Sequence, residues 1–413
     1  MRLLPLFFLV PVALAVLLGG AASAQPTSGG LPPGEGFDWE RLGTPAFDAN
    51  FLTVAPDGSL WSSGASVDYE DAIYVFDEAT DAWRDTTSIP NDADNLAFLG
   101  PDTLLVRYIS RVRRSTDGGS TWELIYTGGD DLLHVAPFDL PRSGGRVFTG
   151  ASDRENRVTE GLAYSADRGG SFIEGIYDPD LFGTDDIRAG VALAVTRGPE
   201  AGRVLMGGMH GVAYSDDGGE SYRPSNLWTL YRYRSREIME GEGPDGQPRL
   251  FALLTDATQP YFHVTHSDDG GATWGRPMPL PEPQDGIGST GELVWLGPMG
   301  QPRSTLAILP RGHIYRTDDG GDSWSLKGRA PFDSSAVYVD EAYVDDAGRL
   351  VVSTPHVAGP VHGVFRTVEP VPVASAPMPP AAPDLSLAVE PNPATRQTAV
   401  RWRQASAGAA RVS

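Results

Sequence analysis

One short run of the chain combines the side chains best suited to chemistry. From Tyr231 to Glu237 it reads Tyr-Arg-Tyr-Arg-Ser-Arg-Glu. Guanidinium groups bind carboxylates and related oxyanions through paired N–H donors. If this run is a regular strand, Tyr231, Tyr233 and Glu237 share one face and the three arginines share the other. The three arginines or the Tyr and Glu side chains could then line a single pocket, but not both groups together.

Carboxylates in the same part of the chain make glycoside hydrolysis a second candidate chemistry. Most glycoside hydrolases place two acidic side chains on either side of the scissile bond. Asp185 lies in an acidic segment about 50 residues before Glu237. The candidate catalytic residues are therefore Tyr231, Glu237 and Asp185.

Several loop residues are candidates for binding, because binding residues concentrate in loops held by a rigid scaffold. Taken one by one, each is more typical of an ordinary solvated turn. No phosphate-binding loop, metal-binding helix motif or cysteine is present, and His263 and His266 would face opposite sides of a strand. We therefore predict no metal and no cofactor. The binding candidates are Asp153, Arg154, His210, Trp228, Tyr261 and His263.

A repeat indicates the elements that position these residues. One pattern, a hydroxyl residue, then Asp, two glycines and an aromatic residue, occurs five times, with steps of 50, 50, 52 and 50 residues between its aspartates. A fixed period of this length is typical of stacked supersecondary units. The repeated aspartates are Asp117, Asp167, Asp217, Asp269 and Asp319, and the aromatic residues are Trp122, Phe172, Tyr222, Trp274 and Trp324.

Short alternating segments precede each copy, such as Gly211–Tyr214 and Arg203–Met206. Even spacing of short strands with glycine-rich turns predicts antiparallel sheets. The Asp-Gly-Gly core suits a tight turn between the third and fourth strands of a unit, because glycine adopts positive φ and the carboxylate can accept backbone N–H groups. The aromatic residue would then pack between units.

The number of units follows from two weaker copies. Val75–Trp83 stands one unit upstream without glycines, and Gly363–Thr367 begins a last unit that lacks its fourth strand. The segment Trp39–Pro45 is similar to Trp324–Pro331, so the N-terminal strand can complete the last unit. Closure of the ring removes exposed sheet edges. We predict an all-β, seven-bladed propeller of four-stranded antiparallel blades over residues 37–368.

The five copies resemble Asp-box (BNR) repeats, which occur in sialidases, sortilin-type receptors, xyloglucan-degrading propellers and photosystem assembly factors. In those families the box is a structural turn on the blade periphery, which implies structural roles for the five aspartates and five aromatic residues. The fold hosts many functions, so the resemblance does not select one.

The sialidase members use three arginines for a substrate carboxylate, a Tyr and Glu nucleophile pair and an Asp acid. They carry an Arg-Ile-Pro-type motif before the first box, which this sequence lacks, and they usually have six blades. We therefore predict an interaction module for a glycan or an envelope protein. An assembly role resembling that of the photosystem factors, with a protein partner and no affinity for sugars, is a further possibility. A glycoside hydrolase, sialidase-like or with two carboxylates, is the alternative.

Both ends of the sequence carry targeting signals. Arg2, an apolar run to Leu18 and the small residues Ala22-Ser23-Ala24 form a typical signal peptide over residues 1–24. The run is short for a membrane span. We expect a flexible segment over 25–36 and a secreted or cell-surface protein.

A Pro- and Ala-rich linker follows the propeller over residues 369–383. The tail from 384 to 413 contains two alternating segments, which begin at Leu385 and Thr398, with Pro391-Asn392-Pro393 between them. It resembles the start of the C-terminal sorting domain of type IX secretion cargo, a small β-sandwich, without that family's later strands. The resemblance implies the type IX secretion machinery as a partner if the tail is complete.

The charge balance excludes one class of partner. The chain of 413 residues has 54 acidic and 32 basic side chains, a net charge of −22. A surface this acidic repels polyanions, so we expect no nucleic-acid partner.

Overall fold

The computed structural model describes residues 36–43, 47–55, 57–66, 71–88, 95–108, 111–127, 147–150, 162–167, 169–183, 189–229, 232–258, 261–280, 292–296, 304–309, 312–331, 339, 341–345, 347–354, 363–371, 385–391, 398–404 and 409–411. The predicted signal peptide and most of the predicted linker lie outside these ranges, as do Asp153, Arg154, Asp185 and Tyr231. Within the described ranges, no helix is long and apolar enough to cross a membrane.

The chain forms a seven-bladed β-propeller of antiparallel sheets, which confirms the predicted fold class. The first strand, β1, spans Trp39–Arg41. Blade 1 contains β2 (Phe47–Val54), β3 (Leu60–Ser66), β4 (Asp71–Asp77) and β5 (Ala82–Ser88). Blade 2 contains β6 (Asn95–Phe98), β7 (Leu104–Tyr108), β8 (Arg111–Ser115) and β9 (Glu123–Thr127). Blade 3 contains β10 (Val147–Gly150), β11 (Leu162–Ser165) and β12 (Ile173–Glu174), followed by a short helix, α1 (Pro179–Phe182).

The other blades follow the same order. Blade 4 contains β13 (Ala189–Ala194), β14 (Val204–Gly208), β15 (Gly211–Ser215) and β16 (Arg223–Pro224). Blade 5 contains β17 (Tyr233–Glu242), β18 (Pro248–Asp256), β19 (Phe262–Ser267) and β20 (Met278–Pro279). Blade 6 contains β21 (Glu292–Trp295), β22 (Thr305–Ile308), β23 (His313–Thr317) and β24 (Ser325–Arg329). Blade 7 contains β25 (Ala342–Val344), β26 (Leu350–Thr354) and β27 (Gly363–Thr367), with β1 as its fourth strand.

Burial follows the position of a strand within its blade. All five residues of β14 and eight of the nine in β18 are buried, because a second strand has neighbouring blades on both of its faces. The outermost strands β12, β16 and β20 have two residues each and are largely exposed. This difference explains why the inner segments are continuously apolar in the sequence while the boxes are polar.

The ring closes through the N-terminus, as predicted. Strand β1 pairs antiparallel with β27, with Trp39 opposite Thr367 and Arg41 opposite Phe365. Leu42, which follows β1, is buried and donates its N–H to the carbonyl of Val364 at 2.9 Å. The first and last described strands of the propeller therefore belong to one sheet.

Each of the five repeated motifs forms a turn between the last two strands of a blade, and we call these the box turns. In blade 5 the hydroxyl of Ser267 donates to Asp269 Oδ1 at 2.8 Å and accepts the N–H of Gly271 at 2.8 Å. Asp269 also accepts the N–H of Thr273 at 2.9 Å and its hydroxyl at 2.6 Å. The same bonds recur at Asp117, Asp167, Asp217 and Asp319.

The aromatic residue that ends each box packs against the preceding blade. Trp274 of blade 5 contacts a cluster that contains Leu205 and Val212 of blade 4. Tyr222 of blade 4 joins Phe148 and Leu162 of blade 3. Trp122, Phe172 and Trp324 pack on the corresponding clusters, each of which joins the preceding blade to their own. The box aromatics therefore lie between units, as the sequence predicts.

Protonation of the box turns should destabilise the propeller in acid. Hydrogen bonds from the hydroxyl and N–H of Thr121 lower the pKa of Asp117 to about 2, and bonds from Ser165 and Ser171 lower the pKa of Asp167 to about 2. Burial opposes ionisation of the other three, but the same bonds outweigh it and lower each pKa. A lowered pKa stabilises the fold above the unfolded-state pKa near 4, and this contribution is lost as the pH falls towards 2.

We therefore expect the free energy of unfolding, measured with denaturant at a series of pH values, to fall steeply between about pH 4 and about pH 2. Asp117→Asn should lower stability at pH 7 and reduce the steepness of that fall. An unchanged slope in this variant would contradict the assignment.

The C-terminal tail forms its own antiparallel sheet of three strands, β28 (Leu385–Pro391), β29 (Thr398–Gln404) and β30 (Ala409–Arg411). The first two are the alternating segments seen in the sequence. The third was not predicted.

Candidate functional site

Backbone register brings several candidate residues to one end of blade 5. Tyr233, at the start of β17, pairs with Asp256, at the end of β18, and Thr255 pairs with Phe262 at the start of β19. The box turn of the blade connects β19 to β20 and so lies at the opposite end. We call the end that contains Tyr233, Asp256 and His263 the loop end of blade 5.

Four side chains form a connected group at this end, which we call the Arg232 cluster. The guanidinium carbon of Arg232 lies 4.9 Å from the ring centroid of Tyr233, and its Nε is 3.8 Å from Asp256 Oδ2. The ring of His263 contacts that of Tyr233 edge to face, with centroids 5.9 Å apart. The Arg232 side chain is 58% exposed and that of Asp256 is 2% exposed. A buried anion thus supports an exposed cation that is stacked on an aromatic ring.

The charge states of the Arg232 cluster follow from its hydrogen bonds and burial. Burial opposes ionisation of Asp256, but the hydroxyl and N–H of Thr258, at 2.6 and 2.8 Å, outweigh it and lower the pKa of Asp256, with help from His263 and Arg232. Burial lowers the pKa of His263, although the carbonyl of Tyr261 and the carboxylate of Asp256 act in the opposite direction. At neutral pH the cluster therefore holds an ionised Asp256 and a neutral His263.

Tyr261 and His263 are adjacent to each other in the site. The Nδ1 of His263 lies 3.1 Å from the carbonyl oxygen of Tyr261. That contact fixes the orientation of the imidazole ring, and Tyr261 itself is only partly buried. Tyr261 therefore lies beside the Arg232 cluster, of which His263 is a member.

Strand β17 is not regular, which overturns the predicted division of its side chains. Ser235 pairs with Leu254 and Glu237 pairs with Leu253, so Arg236 is an extra residue in a β-bulge. A bulge reverses the alternation of faces. Glu237 consequently shares a face with Arg234, which pairs with Thr255, and not with Tyr233. The expectation that Tyr233 and Glu237 face one way and the arginines the other was wrong.

Bulges occur at corresponding places in two other inner strands. The register shifts between Ala49 and Phe51 in β2, and between Ala189 and Val191 in β13. Like the bulge in β17, each lies towards the start of the inner strand, away from the box turn. Bulges often redirect side chains near functional sites.

The candidates His210 and Trp228 lie apart from the Arg232 cluster. His210 is completely buried and its ring centroid is 5.3 Å from that of Trp228. The indole Nε1 of Trp228 donates to the carbonyl of Phe182 at 3.1 Å, and its ring packs on the core between blades 3 and 4. Both side chains therefore belong to the packing between blades 3 and 4.

Sequence reasoning missed Asp256 and Thr258 as parts of the site, and treated Arg232 only as one of three equivalent arginines. Asp256 follows an apolar strand and has a threonine two residues later, a pattern typical of an Asx turn. That pattern could have identified the anchor of the cluster. No group of three or more His, Cys, Asp or Glu side chains is arranged to hold a metal ion within the described part of the chain.

Neither the known protein-family models nor the curated proteins include a match to this chain. Solved structures do resemble it. YCF48 bound to a D1 peptide has a TM-score of 0.51 at 14% identity, covering 82% of this chain and 99% of that one. An ancestral GH74 enzyme has a TM-score of 0.52 at 15% identity, covering 90% of this chain and 54% of that one.

Hydrazine synthase from Kuenenia stuttgartiensis has a TM-score of 0.52 at 12% identity, covering 78% of this chain and 98% of that chain. At such identities the similarity shows the fold alone. Since these neighbours include a glycoside hydrolase and a peptide-bound propeller, the fold does not choose between catalysis and binding.

Proposed function

We propose that this protein is a binding module, and that it recognises a glycan or an envelope protein through the loop end of blade 5. The observation that carries the proposal is the exposed guanidinium of Arg232, stacked on Tyr233 and backed by the buried Asp256. Arginine and tyrosine dominate binding energies at interfaces, because both combine a large contact area with directional polar groups. Tyr261, which is partly exposed, extends the same surface, and the buried His263 packs beneath it.

The carboxyl groups of the described residues support binding over glycoside hydrolysis. A glycosidase requires a general acid whose pKa is raised. Every carboxyl group with a resolved shift in the described residues has a lowered pKa, from the box aspartates to Asp256. These groups remain ionised and act as acceptors. Glycoside hydrolysis, with Glu237 as its candidate carboxylate, is the alternative function.

Export is also part of the proposal. The signal peptide supports secretion, and the Pro-Asn-Pro tail supports a type IX sorting signal, whose machinery would be a transient partner. The five box turns are in turn proposed to be Asp-box repeats, since their hydroxyl, aspartate and glycine residues recur with the same bonds. These signals would bring the propeller to the cell surface or the medium.

A binding screen tests the proposed function directly. The mature protein is applied to a glycan array and to immobilised envelope proteins, and each ligand found is titrated against Arg232→Ala and Tyr261→Ala. We expect each substitution to weaken binding at least tenfold. Arg223→Ala is the matched control, because Arg223 is exposed on the outer strand of blade 4, and it should bind normally.

Two outcomes would overturn the proposal. The first is a ligand that binds both variants as well as the original protein. The second is hydrolysis of a model glycoside that disappears in Glu237→Gln, which would establish the alternative function.

A further inference from the structure

Two arginines of the inner strand β17 lie close together and have no acidic partner among the described residues. The Arg236 Nε donates to the Thr255 hydroxyl at 3.2 Å, and Arg234 is opposite Thr255 in the register of the sheet. The Arg234 Nε is buried and has no hydrogen-bond partner. Among the ion pairs of the described residues, none includes Arg234 or Arg236.

Arginines that are buried as whole residues are arranged differently. Arg249 binds both Asp268 and Asp322, and Arg366 binds both Glu40 and Glu78. These pairs offset the cost of removing a guanidinium group from water. Arg236 lacks such compensation, and its burial and the neighbouring charge of Arg234 together lower its pKa. In a chain of net charge −22, two neighbouring arginines with no ion pair among the described residues are not a consequence of composition.

We propose that Arg234, Arg236 and the hydroxyl of Thr255 form a binding site for one carboxylate group, carried by a ligand that enters at the loop end of blade 5. This inference rests on the proposed binding function, and it adds the chemical class of the ligand. Two guanidinium groups and a hydroxyl supply several N–H and O–H donors, and a carboxylate supplies acceptors in matching geometry. Thr255, which both arginines meet, is next to Asp256, the partner of Arg232, so this set and Arg232 lie at the same end of the blade.

The overall charge restricts the ligand further. The negative field of the whole protein opposes a chain of many anionic groups. A single carboxylate experiences the local arginines more strongly than the distant acidic residues, because solvent and salt screen interactions beyond about 10 Å. The site therefore fits an isolated carboxylate, such as a uronic acid or the end of a peptide chain. Glu237 shares the face and has interactions of its own.

Two matched pairs of probes test the carboxylate class and separate its sources. D-glucuronate is compared with D-glucose, and N-acetyl-trialanine with a free carboxyl end is compared with its amide. Binding to the whole protein is measured by saturation-transfer NMR and calorimetric titration. We expect the acid of at least one pair to bind at least tenfold more tightly than its neutral counterpart, and the pair that responds identifies the source.

Substitution of the arginines gives the decisive comparison. In Arg234→Met and Arg236→Met, the preference for the acid should fall at least tenfold, while the melting temperature stays the same or rises. A rise is expected because an unpaired, desolvated cation is removed. Arg223→Met, at an exposed position on the outer strand of blade 4, should change neither quantity.

Three results would overturn the inference. They are equal binding of acid and neutral probes, a preference that survives in both variants, and a large fall in melting temperature in both, which would make the arginines structural. The screen can also find a ligand whose affinity falls in Arg232→Ala and Tyr261→Ala but does not change in Arg234→Met and Arg236→Met. That result would leave the proposed function intact and overturn the carboxylate site alone.

Discussion

A protein that lacks residues 37–43 is expected to lose its cooperative unfolding transition and to aggregate. These residues contain β1, the fourth strand of blade 7. Without it the outer edge of β27 is unpaired, and an unpaired edge strand is a template for intermolecular association. The measurement is thermal and denaturant unfolding followed by circular dichroism, together with light scattering.

The size of this effect follows from what the segment buries. Leu42 is 2% exposed in the core that joins blades 1 and 7, and Phe37 and Trp39 pack on the core of blades 6 and 7. Full burial of such a side chain stabilises the fold by about 1.5–3 kcal/mol, and the partly buried Phe37 and Trp39 each contribute less than this. The three together still supply a large share of the roughly 5–15 kcal/mol that holds a typical domain together.

The weaker copy of the repeat in blade 1, Val75–Trp83, contributes polar contacts to the same closure. The indole of Trp83 donates to the carbonyl of Leu42 at 3.0 Å, and Asp81 accepts the N–H of Gly43 at 2.9 Å. Arg366 joins Glu40 of β1 to Glu78 of that turn. Both glutamates are exposed to solvent, so each of these two ion pairs contributes about 1 kcal/mol or less. The degenerate turn thus holds the closing segment.

A chain that begins at Phe37 is the control for the deletion, and it should fold normally because it retains every contact described above. If the chain without residues 37–43 unfolds cooperatively at the original temperature, the N-terminal strand does not close the ring.

The repeat made the fold predictable because its information is local. Each box turn forms within one short segment, and the period then fixes the number of blades without knowledge of any long-range contact. The sequence also identifies the segment that supplies the fourth strand of blade 7, since Trp39–Pro45 is similar to a segment that follows an intact box.

The site was less predictable, because its geometry depends on contacts between distant residues. The bulge at Arg236 is defined only by the pairing of the residues on either side of it with Leu254 and Leu253, and alternation read from the sequence assumes a regular strand. Arg203 illustrates the same limit. It binds Asp216 of its own blade and the carbonyls of Asp269 and Gly270 in the next blade, a role that its neighbours in sequence do not indicate.

The second large effect is expected for Gly271→Ala, in the box turn of blade 5. The φ of Gly271 is +90°, and a Cβ atom there would lie 2.4 Å from Leu205 Cδ2. A left-handed backbone costs an alanine about 1–2 kcal/mol. Overpacking against a completely buried leucine adds about 1–3 kcal/mol. We therefore expect a loss of about 2–5 kcal/mol, measured as the free energy of unfolding in denaturant.

Gly118→Ala separates the two causes of this loss. Gly118 also has a positive φ, +71°, but its Cβ would have no neighbour within 4 Å, so we expect a loss of only about 1–2 kcal/mol. Gly321 resembles Gly271, because its Cβ would lie 2.5 Å from Phe251 Cε1 in the preceding blade, and it should behave like Gly271. Equal losses at all three positions would mean that backbone strain alone selects glycine. A larger loss at Gly271 and Gly321 means that the second glycine of the box is required because each turn packs directly on the blade before it, which makes the repeat a device for joining blades.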